Sequence, residues 1–538
     1  MLTNNLNFMK NKYITLALIF GLLSTIFMSC QDNIPAVIDQ LTFERVFTPL
    51  NLQVKVRDKT TAEISWDERG DASSYILQVS QDSLDFSDIV ETDTITSSDN
   101  PYSVDLIGNL RYSVRMVGIS DSLSNSKWSD GVTFKTLPEN IFYAVADTDI
   151  HATSATLRWP AKSKVTDLVV NPGDTKVSLT AQEIANGAAT ISGLTGRTTY
   201  TVKLYKDTIV RGTASFTTYV DVANATPVHP GDDLATVIAN AGSGDVLALY
   251  PGDYSASAGN ITIDKSITIV GVYPFNKPLL HNQFVIADGA QDVVLEALDM
   301  NGAYTDATDM PVTLDEPVQY NTTDFATLGT LTLRNVTVDT YNKSFISDGG
   351  SQFETSSILV DNCVVSNVYN SGGDFIDSRK SFIQNLTVTN STFNNCATVN
   401  TRDFIRMDGG TKGNSYDDGT NTPVIVVSHC TLYDVMNSSS STKRMFYVRW
   451  SMNEITSSHN ILSDMGNSVY SNQSATTQPV CDYNNYFNAD GYISGDNLSD
   501  NSNTYTTEDP GFKNPATGDF TISNPALIDN QVGDPRWY

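Results

Sequence analysis

The sequence predicts an all-β protein: two β-sandwiches followed by a right-handed parallel β-helix. Three observations lead there. First, five segments superimpose between Leu331 and Met465, starting at Leu331, Ile358, Leu386, Ile425 and Ile455, with a period of about 27 to 30 residues and one longer excursion. They share apolar columns: Leu331/Ile358/Leu386/Ile425/Ile455, Leu333/Val360/Val388/Val427/Ser457, Val338/Val365/Phe393/Leu432/Leu462 and Tyr341/Val368/Cys396/Val435/Met465. Second, a polar column, Asn335/Asn362/Asn390/His429/His459, runs between them. Third, the region from Phe47 to Thr218 carries short alternating runs separated by turn residues.

A repeat of this size is a supersecondary unit whose apolar face is buried only by its neighbours. Alternation with period 2 and richness in Val, Ile and Thr make the units strands. Equivalent side chains of stacked coils lie about 4.8 Å apart. An inward Asn amide is therefore expected to bond the one above it, as stacked amide ladders do. His429 and His459 are expected to be stacked core residues.

Ahead of the coil, Pro49–Val54, Ala62–Trp66, Ser74–Val79 and Leu110–Val117 read as strands of one sandwich. Trp66 falls where such sandwiches bury a tryptophan, and Leu110-x-Tyr112 where they carry a tyrosine corner. This module resembles a fibronectin type III domain, spanning 47–136. A second copy, 137–219, carries Ala155–Trp159, Ile191–Leu194 and Tyr200–Leu204. No chemistry is assigned to either; their expected job is to hold the third domain away from a membrane.

The third domain, 220–538, opens with Pro230–Tyr254, read as a short capping helix, a Gly turn and a first strand, then Ile261–Gly271. This Gly-Asp-x-Leu … Pro-Gly-x-Tyr … Ile-x-Gly start resembles pectin-lyase-like β-helix proteins. Val293–Met300 fits the repeat, whereas 301–326 and 409–422 are expected to loop out of the coil. The end, Glu508–Ile522 and Gly533–Trp537, resembles the closing segment of β-helix families of Bacteroidetes polysaccharide-utilisation systems. Such folds host lyases, hydrolases and binders alike, so the resemblance implies architecture rather than a reaction.

At the N-terminus, Lys10 and Lys12 precede an apolar run from Tyr13 to Met28 that ends at Ser29-Cys30. An n-region, an h-region and small residues make a signal peptide over 1–29. Phe27-Met28-Ser29-Cys30 resembles a bacterial lipobox, which implies lipidation at Cys30, a tether over 30–46 and anchoring by lipid alone. Gln31-Asp32-Asn33 resembles the surface-export signal of Bacteroidetes lipoproteins. The expected location is the outer membrane, facing the exterior.

The 538 residues carry 33 Lys plus Arg against 61 Asp plus Glu, a net charge of −28. That disfavours nucleic acid, whose backbone needs a basic surface. Beyond Cys30, Cys363, Cys396, Cys430 and Cys481 read as small buried hydrophobes rather than a disulfide scaffold or a zinc site.

A further repeated segment carries most of the charge: Ser344–Asp348, Asp374–Arg379, Asp403–Asp408 and Met445–Arg449. A uronate lyase pairs a base with a group that neutralises the substrate carboxylate, often Ca²⁺. By analogy with β-helix lyases, Arg379, Arg406 and Arg449 are the candidate bases. Asp374, Asp377, Asp403 and Asp408 are the candidate Ca²⁺ ligands. In the simplest register Asp377 faces Arg406 and Arg379 faces Asp408, so the same residues also read as cross-rung ion pairs. The signatures Trp-Ile-Asp-His and Arg-x-Pro-x-x-Arg of pectate lyases are absent from the sequence. Tyr433, Tyr447 and Trp450, with Arg402, are candidates for glycan contact, since aromatic faces suit sugar rings. The Phe345/Phe375/Phe404/Phe446 column reads as core. Three functions stay open: a non-catalytic surface lipoprotein binding an acidic, pectin-like polysaccharide beside other outer-membrane glycan-uptake proteins; a Ca²⁺-assisted polysaccharide lyase; and a structural adhesin.

Overall fold

In the computed structural model, residues 43–82, 84–398, 402–409, 416–437, 441–495 and 497–538 are described. The signal peptide, Cys30 and most of the tether lie outside them. The chain divides into two compact units, with the break after Asn140.

The first unit holds one sandwich. Strands β1 (Leu50–Arg57), β2 (Thr61–Asp67), β3 (Ser74–Ser80), β4 (Ile89–Ile95), β5 (Tyr102–Asp105), β6 (Arg111–Ile119) and β7 (Val132–Lys135) form two sheets, ordered β1-β2-β5 and β4-β3-β6-β7. This three-plus-four arrangement of antiparallel strands is fibronectin type III-like. Trp66 is buried edge-on to Tyr75 at 5.5 Å. The Tyr112 hydroxyl accepts from the Ile107 N–H at 3.1 Å, which is the expected tyrosine corner. The second sandwich has a two-plus-four arrangement, ordered β11-β8 and β10-β9-β12-β13, from β8 (Ser154–Arg158), β9 (Asp167–Asn171), β10 (Thr175–Ser178), β11 (Ala188–Ser192), β12 (Thr199–Lys206) and β13 (Ile209–Thr217). Trp159 is buried there, and the Tyr200 hydroxyl accepts from the Thr195 N–H at 2.9 Å.

Within the second unit the second sandwich is joined directly to the coil. Val220 packs with Ala248, Val270 and Val272, which point out of the coil's first sheet. Arg197 reaches Glu296 at 2.6 Å. This sandwich is therefore part of the coil's own packing rather than a free spacer.

The coil is a parallel β-helix. Each turn visits three sheets, for example Ala326–Arg334, Thr337–Tyr341 and Ile346–Ser347. We call these the first, second and third sheets; they hold eleven, eight and seven described strands. All inter-rung pairing within them is parallel, so every element stacks on its equivalent one turn on. The predicted columns are the observed register: Leu331 pairs with Ile358, Leu386 with Ile425, Val365 with Phe393. Their side chains form one continuous buried cluster from Val228 to Tyr492. The helix Leu234–Asn240 is capped by Asp233 and buries Leu234 and Ile238 into this cluster, closing its start as expected.

Four expectations change. The Asn/His column does not point inward. Asn335, Asn362, Asn390, His429 and His459 all take positive φ, from 50° to 55°, at the corner between the first and second sheets. Asn tolerates that left-handed conformation better than most residues because its short amide bonds locally. The inward polar row lies one residue later, where Ser391 and Asn460 side chains accept the N–H groups of Cys363 and Cys430 at 3.0 and 2.9 Å. His429 and His459 do stack, at 4.7 Å and 11°, but at this half-buried corner and not in the core. Within 301–326 only the hairpin Ala303–Thr305/Pro311–Thr313 leaves the coil, while Val318–Tyr320 is a full rung of the third sheet. Phe446 pairs with Ile405 rather than Phe404, so the ring stack stops at Phe345, Phe375 and Phe404.

All four described cysteines are free and buried. Burial pushes the Cys363 thiol up to about 11 and the Cys396 thiol to about 12, which suits packing rather than reactivity. The C-terminal segment folds back over the second sheet. Thr392 donates to the Asp534 carboxylate at 2.7 Å, Trp537 Nε1 donates to Thr392 at 2.7 Å, and Arg536 reaches the Asn362 carbonyl at 2.7 Å.

Candidate functional site: the charged face of the third sheet

The third sheet's outward column is Gln319, Ser347, Asp377, Arg406 and Tyr447, each paired with the next in parallel register. Alternation explains it: Ile376, Ile405 and Phe446 point into the coil, so the residue after each points out. Two positions before those inward residues comes a second row, Glu316, Ser344, Asp374, Asp403 and Arg444. Its first four members are buried. Buried charges so placed call for partners, and Asp374 and Asp403 have them. The Asp403 N–H donates to Asp374 at 2.8 Å, and the Arg444 N–H donates to Asp403 at 2.9 Å.

The side chains complete the network. Arg379 Nε donates to Asp377 at 2.7 Å, and its Nη2 donates to Asp374 at 3.0 Å. Arg406 donates through Nη2 to Asp408 at 2.7 Å and through Nη1 to Asp374 at 3.3 Å. Arg444 Nε donates to Asp403 at 2.8 Å. The expected cross-rung pairs are thus replaced in part. Asp377 does face Arg406 in register but bonds Arg379, and Asp408, expected opposite Arg379, pairs in register with Arg449 and bonds Arg406. Residues i and i+2 of one strand share a face, and here that short path wins over the step between rungs.

Burial, then the neighbouring Asp377, raises the carboxyl pKa of Asp374, while Arg406 opposes the rise. Burial also works against the charge of Arg406. The hydrogen bond and field of Asp408, with Asp374 and Asp377, outweigh it and raise the guanidinium pKa. Arg379 is raised too, first by its bond to Asp377. Arg379 and Arg406, two of the three candidate bases, are therefore held firmly as cations. All four candidate Ca²⁺ ligands are engaged by arginines, and no three His, Cys, Asp or Glu are arranged to hold a cation among the described residues.

Tyr447 is the centre of this face. Its half-buried ring has Arg444 at 4.3 Å, Arg406 at 5.0 Å and Arg449 at 5.9 Å from the centroid. Arg402 is half-buried, just before the buried Asp403. The other candidates lie elsewhere. Trp450 has no exposed surface: it packs on Phe382 at 5.1 Å and lies 2.9 Å from where a Cβ on Gly409 would sit, so it offers no face to a sugar. Tyr433 is on the second sheet, edge-on to Phe512 at 6.0 Å under the C-terminal segment. The sequence reading missed Arg444. Its signal was the offset it shares with Asp374 and Asp403, which the shifted placement of Phe446 hid.

Residues 252–396 match the family described as Domain of unknown function (DUF4957), and residues 425–537 match Domain of unknown function (DUF5123). A comparison with curated proteins finds no match. Among solved structures, a two-domain fibronectin type III segment of chicken tenascin is 18% identical, with 31% of this chain and 97% of that one covered, at a TM-score of 0.22. The central fibronectin III array of RIM-binding protein is 17% identical, with 33% and 63% covered, at a TM-score of 0.14. The FN1-FN3 domains of chicken CNTN1 are 12% identical, with 32% and 64% covered, at a TM-score of 0.15. This chain thus spans under two thirds of the latter two structures.

Proposed function

We propose that this protein is a surface lipoprotein of an outer membrane that binds an acidic, pectin-like polysaccharide without cleaving it. It would act for a glycan-utilisation system beside other outer-membrane uptake proteins. The observation that carries this reading is Tyr447 on the outward column, with three guanidinium groups within 6 Å of its ring. An aromatic face suits a sugar ring, and guanidinium N–H groups suit its carboxylate. Anchoring each arginine on a buried aspartate fixes its direction before a ligand arrives, which lowers the cost of binding. The cationic state of Arg379 and Arg406 weighs against their use as proton acceptors in a lyase.

The test uses the lipid-free chain from Gln31 onward in affinity gels containing polygalacturonate. Retarded migration, with affinity about tenfold weaker in Tyr447→Ala, is the expected result. Release of an unsaturated uronate product, read by ultraviolet absorbance and abolished in Arg406→Ala, would replace the binder with a lyase. Unchanged migration with no product would remove both.

A further inference from the structure

We propose that the cleft between the second sandwich and the first sheet of the coil is a second glycan site, for an uncharged oligosaccharide. The cleft has a volume of about 510 Å³. That is within the range of small-molecule sites, which favour domain interfaces. Its position is away from Tyr447: it is lined by the sandwich residues Arg197 and Tyr219, and by Glu296, Arg334, Asp361 and Asn362 of the coil.

Charge selects the ligand class. Arg197 is paired with Glu296 at 2.6 Å, and Arg334 with Asp361 at 3.3 Å. The cations are thus already neutralised, and Asp147 adds a carboxylate to the lining. Against its two arginines the lining sets the carboxylates of Glu296, Asp361 and Asp147, so an acidic sugar meets an excess of negative charge here. A cation must compete with the guanidinium groups already on two of those carboxylates. A polyhydroxyl compound fits both, because each hydroxyl donates and accepts, and the walls alternate guanidinium donors with carboxylate and amide acceptors.

The aromatic half of a sugar site is present at the rim. Tyr219 is held in place by its hydroxyl, which donates to the Asp147 carbonyl at 2.6 Å. Tyr273 and Phe275 flank the lining residue Pro274 and meet Tyr219 at 6.4 and 6.0 Å. Both are exposed, at 37% and 52%. Two large rings left in water beside a polar cleft suit the apolar face of a sugar. Since the sandwich supplies Arg197 and Tyr219, the site exists only because that module is packed on the coil.

The experiment uses the chain from Gln31 in affinity gels made with a β-glucan, a mannan or an arabinan, and with polygalacturonate for comparison. At least one uncharged polymer should retard the protein. The double variant Tyr273→Ala/Phe275→Ala and, separately, Thr199→Trp at the exposed lining position should each weaken that retardation about tenfold, leaving polygalacturonate retardation unchanged. The proposal is overturned by no retardation with any of the three uncharged polymers, or by retardation that either variant leaves intact. Loss of polygalacturonate retardation in Arg334→Gln would also overturn it, by showing a charged ligand in this cleft. Tyr447→Ala reports on the other face alone, so the two sites fail independently.

Discussion

Two rows of polar side chains climb the same coil and are held there by different means. On the third sheet, Asp374 and its neighbours are buried and are held by Arg379 and Arg406, which reach them across strands and rungs. At the corner after the first sheet, Asn335, Asn362 and Asn390 are set by their own backbone, each in the left-handed region. The first row is a tertiary construction in which loss of one member strands another. The second is a local one at Asn335, with added bonds where Asn362 accepts from Arg536 and Asn390 donates to Asp361 at 3.0 Å.

That contrast orders the consequences of mutation. Asp374→Ala leaves two guanidinium groups facing an apolar hole, and removing one partner of a buried ion pair costs about 3–5 kcal/mol. Partial exposure of Arg379 places the expected loss near 3 kcal/mol. Urea denaturation of the isolated second unit's transition measures it. A loss below about 1 kcal/mol would mean the network is not buried as described.

Lys443 gives the pH signature of the same side. It is almost fully buried, donates to the Ala397 carbonyl at 2.5 Å, and burial lowers its pKa to about 8 from the ordinary lysine value of 10.5. Between about 8 and 10.5 the folded state binds fewer protons than the unfolded state. Stability therefore rises with pH across that window, and the cost of the buried charge is fully present below it. Lys443→Met should stabilise the protein at neutral pH by about 1–3 kcal/mol, with the gain vanishing above the window. Melting temperatures of both proteins across it would show a gap that closes; a constant gap would refute this account.

The corner should respond least. Asn335→Ala places a Cβ residue without a helpful amide at φ 52° and is expected to cost about 1 kcal/mol. Asn335→Gly should be close to neutral, because glycine enters this region freely. Equal costs for the two variants would mean that contacts of the amide, not the backbone, hold the corner.

Much of this architecture was legible in the chain. Alternation with period 2 and the column spacing gave the coil and its register, since a one-residue slip would turn every Leu and Val outward. Trp66 with Tyr112, and Trp159 with Tyr200, marked the sandwiches. The candidate site was legible only in part. Asp374, Asp377, Arg379, Arg406 and Tyr447 do come together, and the fragment from Met445 to Arg449 pointed to the right sheet. Trp450 misled because its residue type suggests sugar stacking, while its place beside Gly409 and Phe382 is settled by packing that no local pattern encodes. Arg444 and the corner geometry of the Asn column were lost to single-residue offsets, which period-2 reading tolerates badly when a turn intervenes.

What the sequence determined by itself was local and periodic: strand against helix, inward against outward, and which residues recur one rung apart. These follow from the chain's own spacing and from burial of one face. What only the tertiary structure decided was pairing at a distance: which carboxylate each arginine reaches, the return of Asp534 and Trp537 across the second sheet, and the packing of the second sandwich on Val270 and Glu296. Residues such as Arg197 and Glu296 stand 99 positions apart, and nothing in their own neighbourhoods names the partner. Only the folded path of the chain brings them within a hydrogen bond, and with them the cleft they line.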